Sequence, residues 1–165
     1  MLIVISNASP IINLAIIGRL KLLKTFWGKI YVPEAVWKEV VIDGEDKNEV
    51  AEIKNSDWII VEKVKDQNLV LLLMQNLDKG ESEAIALAIE KNADIILLDE
   101  TDAREAADIY KIEKTGVLGV LLLAKLRNEI PNLKQEIEKL KIKADFWLKD
   151  SLIQDVLKEA GEIPY

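Results

Sequence analysis

Apolar positions along the chain fall into short continuous runs and longer runs spaced for helices. LIVIS (Leu2–Ser6) and the IILL of ADIILLDE (Ile95–Leu98) are continuous, as strands covered on both faces of a parallel sheet are. Each run stops abruptly on polar residues, at Ser6–Asn7 and at Asp99–Glu100. KIYVP (Lys29–Pro33) and DWIIVEKV (Asp57–Val64) are shorter strand candidates. Helical spacing marks Pro10–Ile17, Arg19–Phe26 after Gly18, PEAVWKEVV with Pro33 in its first turn, and Glu81–Lys91 after Gly80. It resumes at Thr101–Tyr110, Gly116–Arg127, Leu133–Leu140 and Asp150–Ala160.

Strands alternating with helices predict an α/β protein with a central, mostly parallel sheet flanked by helices. The chain, 1–165, reads as one domain, with a helical extension at about 132–162. The acidic stretch Ile42–Glu49 around Gly44 is the expected flexible segment, and no internal repeat is visible. LVLLLMQ (Leu69–Gln75) is apolar nearly all round, which implies either deep burial or a dimer interface. No window reaches the roughly 18 consecutive apolar residues of a membrane span. Met1 leads straight into the first strand without a charged leader, so a cytoplasmic location is expected.

Composition narrows the chemistry. The sequence has no Cys and no His, which excludes disulfides, thiol nucleophiles, Ser-His-Asp catalysis and His- or Cys-ligated metals. Carboxylates, amides, hydroxyls, Lys and Arg remain, and oxygen ligands point to Mg²⁺ or Mn²⁺. A net charge of −7 argues against nucleic-acid binding over the whole surface but leaves room for a local basic patch. Abundant Lys, Glu and Ile is a composition met in thermophiles.

Acids or amides stand at four places where apolar neighbours fix their direction. Asn7 ends the first strand, and Asp99 ends the ILLD strand with Asp102 one turn on. In a parallel sheet both strand ends arrive at the carboxyl edge, where ligands bind. Glu39 follows the second strand on a helix, and Glu81 and Glu83 open the helix GESEAIALAIEK. Singly, each has an ordinary explanation. A first-turn Glu is favoured by the helix dipole, Glu39 could be solvated surface, and Asp99 could cap the helix starting near Thr101. Jointly, three or four such oxygens would hold a divalent cation.

That joint placement, with the blocks SNASPIINLAIIGRLKLL, VPEAVWKEV, GESEAIALAIEKNADIILLDETDAR, TGVLGVLLLAK and FWLKDSLIQDVLKEAGE, resembles the PIN-domain ribonucleases, which include the VapC-type toxins. More closely, it is similar to a PIN-like subfamily that often opens with Asn. The blocks run from Ile3 to Glu162. Matched by position, the family's first acid falls on Asn7, its second on Glu39, its third on Glu83 (with Glu81 close enough to substitute) and its fourth on Asp99. Ser9 matches the hydroxyl residue that accompanies the first acid, and Asp102 is an outer partner. The resemblance implies metal-assisted hydrolysis of single-stranded RNA, with Glu39, Glu83 and Asp99 as catalytic carboxylates. Together with the Asn7 amide oxygen they would hold one or two Mg²⁺ or Mn²⁺ ions. It also implies an antitoxin protein partner and a homodimer. Asn7 departs from the parent pattern: an amide can ligate a cation but brings no charge and accepts no proton. The alternative is therefore a catalytically weak or inactive PIN-like module that binds RNA or protein.

The most basic segment, GRLKLLKTFWGK, places Arg19, Lys21, Lys24 and Lys29 beside Phe26 and Trp27. It suits single-stranded RNA or is a core helix with solvated lysines. Arg104, five residues after Asp99, is placed either for a phosphate or for an ion pair with a neighbouring carboxylate.

Overall fold

The computed structural model describes residues 1–165 and is an α/β structure. Five parallel strands run in the order β3-β2-β1-β4-β5: β1 (Val4–Ser6), β2 (Ile30–Pro33), β3 (Ile59–Glu62), β4 (Ile95–Leu97) and β5 (Lys114–Thr115). The expected mostly parallel sheet is thus wholly parallel.

Ten α-helices flank it: α1 (Ala8–Ile16), α2 (Lys21–Trp27), α3 (Glu34–Trp37), α4 (Val50–Lys54), α5 (Gln67–Leu73), α6 (Lys79–Glu90), α7 (Thr101–Ile109), α8 (Val117–Leu126), α9 (Leu133–Lys143) and α10 (Asp150–Glu159). Alternation along each strand divides the core between the two faces. Val4, Val32 and Leu97 join residues of α1, α4 and α8 to α10 in the larger cluster. Their neighbours Ile5, Ile96 and Leu98 join α5, α6 and α7 on the other side. The central strands are covered on both faces, which is why they read as unbroken apolar runs.

Three features depart from the sequence pattern. Pro33 ends β2 rather than sitting inside the helix, and its missing N–H removes one donor that the helix start would leave unpaired. The expected PEAVWKEVV helix changes pitch after Trp37 into a π-helical turn, Lys38–Ile42, closed by Asp43 N–H on the Lys38 carbonyl at 2.8 Å. β5 has only two residues, too few to show a pattern. The LVLLLMQ run, expected either to be deeply buried or to form an interface, is divided: Val70 and Leu73 of α5 are buried, whereas Leu71, Leu72 and the following Met74 are exposed.

Candidate functional site

The order of strand addition switches sides at β1, since β2 and β3 build outward on one side of it while β4 and β5 build outward on the other. The crevice at the carboxyl ends of β1 and β4 is the place where open α/β sheets bind ligands. Ser6 pairs with Leu97, and Asn7 N–H continues the ladder to the Leu97 carbonyl at 3.0 Å. The register therefore brings Asn7 and the start of the β4 loop to the same edge.

Asn7 occupies the N-cap position of α1 in extended backbone, yet its side chain makes no capping bond. The amide is turned instead toward α6. A Cβ on Gly80 would lie 3.2 Å from Glu39 Oε1, 3.5 Å from Asn7 Oδ1 and 3.6 Å from Asp78 Oδ1. Three oxygens from three separate elements thus face one small space, which stays open because residue 80 has no side chain. Asn7 is buried, whereas Glu39 and Asp78 stand at the solvent side. Asp78 and Glu81 are locked together: Glu81 N–H donates to Asp78 Oδ1 at 2.7 Å and Asp78 N–H to Glu81 Oε1 at 3.0 Å, a capping box that starts α6.

Asp99 follows β4 and is held by groups from other elements. Its Oδ1 accepts from Val117 N–H at 2.9 Å, and its Oδ2 from the Ser9 hydroxyl at 3.4 Å. Asn13 Nδ2 donates to Ser9 Oγ at 3.1 Å, which orients the hydroxyl. Asp99 thus caps α8 rather than the helix beginning at Thr101. Arg104 Nη1 donates to the Leu98 carbonyl at 2.7 Å. No carboxylate lies within ion-pairing distance of its guanidinium.

Electrostatics ties these groups together. Desolvation, then the charges of Asp78, Glu100 and Asp43, raise the pKa of Glu39. Glu81 is raised mainly by burial, helped by Asp78 and Glu100, while the Asp78 N–H opposes the shift. Burial pushes Asp99 up to about 6, with Glu100 adding to it and Val117 N–H, Arg104 and Ser9 holding it down. Glu100 acts on all three, so one acidic neighbourhood spans the crevice.

The four expected site residues therefore do not form one tight group. Asn7 and Glu39 converge above Gly80, and Asp99 lies across the β1–β4 crevice, linked through Ser9. Glu83 is buried on α6, and its Oε1 accepts the Ala35 N–H at 3.1 Å, serving the start of α3. Asp102 is exposed on α7. No three acidic side chains stand close enough to form a metal-ligand group by themselves. The open space above Gly80 and its all-oxygen lining fit a hard cation such as Mg²⁺ or Mn²⁺ in donor chemistry. Two contributors escaped the sequence reading. Asp78 was marked by its position three residues before Glu81, a capping-box spacing; Glu100 was hidden as the second half of an Asp-Glu pair.

The basic segment forms α2 and the residues that flank it. α2 leads directly into the start of β2, at the opposite end of the sheet from the crevice. Arg19 is committed to the buried Glu136 at 2.6 Å, and Phe26 and Trp27 pack on the core. A different basic lining does reach the site: a groove of about 790 Å³ beside α3 and the end of β3 carries Lys38, Lys63 and Lys79, with Trp37 and Glu83. It adjoins the recess that holds Glu39, Asp78 and Gly80, sharing Ala35, Lys38 and Lys79 with it.

Residues 3–162 match the family model described as PIN domain, DUF3368. No curated protein matches the chain.

Proposed function

The chain belongs to the PIN-domain family, a nuclease-type fold, and on that footing we propose that it is a divalent-cation-dependent ribonuclease that hydrolyses single-stranded RNA, a toxin-like component of a toxin–antitoxin pair. The observation that carries this reading is the meeting of Asn7 Oδ1, Glu39 Oε1 and Asp78 Oδ1 over Gly80, with Asp99 across the same switch-point crevice. Mg²⁺ or Mn²⁺, when bound, supplies the positive charge that activates water and stabilises a phosphodiester under attack. The Asn7 amide and Glu39, with Asp78, are the oxygens that would hold it over Gly80, and Asp99 and Glu83 are the remaining carboxylates that the family resemblance assigns to the site. Glu83 would use Oε2, because Oε1 already serves Ala35.

The chain's own groups do the remaining work. Ser9, set by Asn13, and Val117 N–H fix the plane of the Asp99 carboxylate, so that it enters the reaction pre-oriented. Lys63 and Lys79 have no ion-pair partner, and with Trp37 in the same groove they offer charge and a stacking face to a single strand. Cleavage of an RNA panel that needs Mg²⁺ or Mn²⁺ and disappears in Asp99→Asn supports the reading; no cleavage with either ion refutes it.

A specific observation favours a second reading, a PIN-like module that binds RNA or protein without catalysis. Asn7 is neutral, and one oxygen of Glu83 is already spent on Ala35. RNA binding that persists without metal and survives Glu83→Gln would select this alternative. For partners, the exposed Leu72 of α5 and Ile109 of α7, with Tyr110 just beyond it, line one groove of about 450 Å³, which suits a homodimer contact. An antitoxin would be expected to cover the acidic crevice itself.

A further inference from the structure

A second recess opens on the far side of Asp99 from Glu39. It measures about 300 Å³, and its lining includes Asp99, Arg104 and Thr115 together with Phe146 and Leu148. That volume is at the small end of ligand sites and suits one planar group rather than a strand. Two glycines in its lining let the polar side chains Asp99 and Thr115 pack directly against the backbone. A Cβ on Gly116 would collide with Asp99 Oδ1, and one on Gly119 with Thr115 Oγ1. The apolar wall comes from the segment between α9 and α10, which neither the sheet nor the acidic crevice uses. Phe146 is placed by its N–H bond to the Leu140 carbonyl at 3.0 Å, and it packs with Leu148 on the larger core. Next to it, Trp147 is 71% exposed, with its ring N–H fixed on Asp145 Oδ1 at 2.6 Å.

Arg104 is the group that points to a ligand. The Leu98 carbonyl anchors one of its nitrogens, and no acid stands within ion-pairing distance, Asp99 acting on it only at longer range. A fixed, unpaired guanidinium offers further donors in a fork that matches phosphate. Lys114, also on the recess, is occupied by Asp108. One free cation beside an aromatic and aliphatic wall describes a phosphate attached to a base. We propose that this recess binds a single nucleotide of the RNA strand, the one flanking the scissile phosphate on the Asp99 side. Arg104 takes its phosphate, and its base lies against Phe146 and Leu148. The C-terminal helical segment is then a specificity wall, and the strand runs from the lysine groove, past Glu39 and Asp99, into this recess.

The inference rests on the ribonuclease reading for the identity of the strand, but its test does not. The ¹⁵N-labelled full chain in Mg²⁺ buffer is titrated with AMP, GMP, CMP and UMP, following the amide signals of Gly116, Gly119 and Phe146. At least one nucleotide should give saturable shifts there. Phe146→Ala and Arg104→Gln should each weaken it at least about fivefold, the low end of what one stacking contact is worth. The corresponding nucleoside should be weakened similarly. Absence of saturable shifts with all four nucleotides, or affinity unchanged in both variants, overturns the proposal even if the protein cleaves RNA. Saturable binding in a chain that cleaves no RNA keeps the recess and removes the ribonuclease.

Discussion

At the scale of single residues, Asp99 is the most informative side chain. Its carboxyl is raised from 3.8 to about 6 by burial. A raised folded-state value favours the fold most below pH 4, and that contribution is lost as pH rises through 6. In metal-free protein the loss should amount to about 2–3 kcal/mol by pH 7. Asp99→Asn should therefore flatten the pH dependence of urea unfolding and leave the metal-free chain more stable at neutral pH. An unchanged pH profile would mean that Asp99 is solvated. Gly80 permits a sharper check of the recess above it. Gly80→Ala should leave the fold intact but lower Mg²⁺ or Mn²⁺ affinity several-fold in calorimetry, since the methyl would stand 3.2 Å from Glu39 Oε1. At this scale the sequence was legible where a buried strand ends on a polar residue, as at Asn7 and Asp99, because the strand dictates where the next side chain emerges. Asp78 and Glu100 are the N-cap residues of α6 and α7; capping-box spacing marks Asp78, but the way either carboxylate faces depends on packing that spacing does not encode.

At the scale of elements, the strands and most helices were legible because the sheet is covered on both faces and the helices carry their own periodicity. β5 was not, being two residues long and defined by its pairing with β4. The π-helical turn at Lys38–Ile42 was invisible too, and it carries Glu39. Glu83 was matched to a ligand position by family resemblance, and the structure adds an element-level duty: closing the start of α3. That duty separates two substitutions. Glu83→Ala leaves the Ala35 N–H without its partner and should cost about 1–2 kcal/mol in chemical unfolding. Glu83→Gln keeps an oxygen acceptor and should cost well under half as much. If both are equally stable, the bond to Ala35 contributes nothing. The C-terminal helices are fastened in a similar way. Glu162 accepts from Leu133 and Lys134 at the start of α9, and with Lys125 these bonds outweigh burial and lower its pKa.

At the scale of the whole molecule, the ribonuclease reading asks how a chain of net charge −7 would meet a polyanion. The basic aromatic segment around α2 looked suited to the task but lies at the wrong end of the sheet, and topology rather than composition decided this. Lys63 and Lys79 sit at the right end. Exchanging both for Glu should weaken RNA binding and flatten its salt dependence, as the loss of two phosphate contacts would. The same exchange at Lys21 and Lys24 should change little; equal effects would contradict the strand path. The central claim remains that an amide stands at a metal-ligand position in an otherwise acidic site. Asn7→Asp tests it most directly, by calorimetric titration of Mn²⁺ into both chains. One added charge in the recess should tighten binding tenfold or more and quicken RNA cleavage. Equal affinity in the two chains would contradict the account, because Asn7 would then lie outside any cation site.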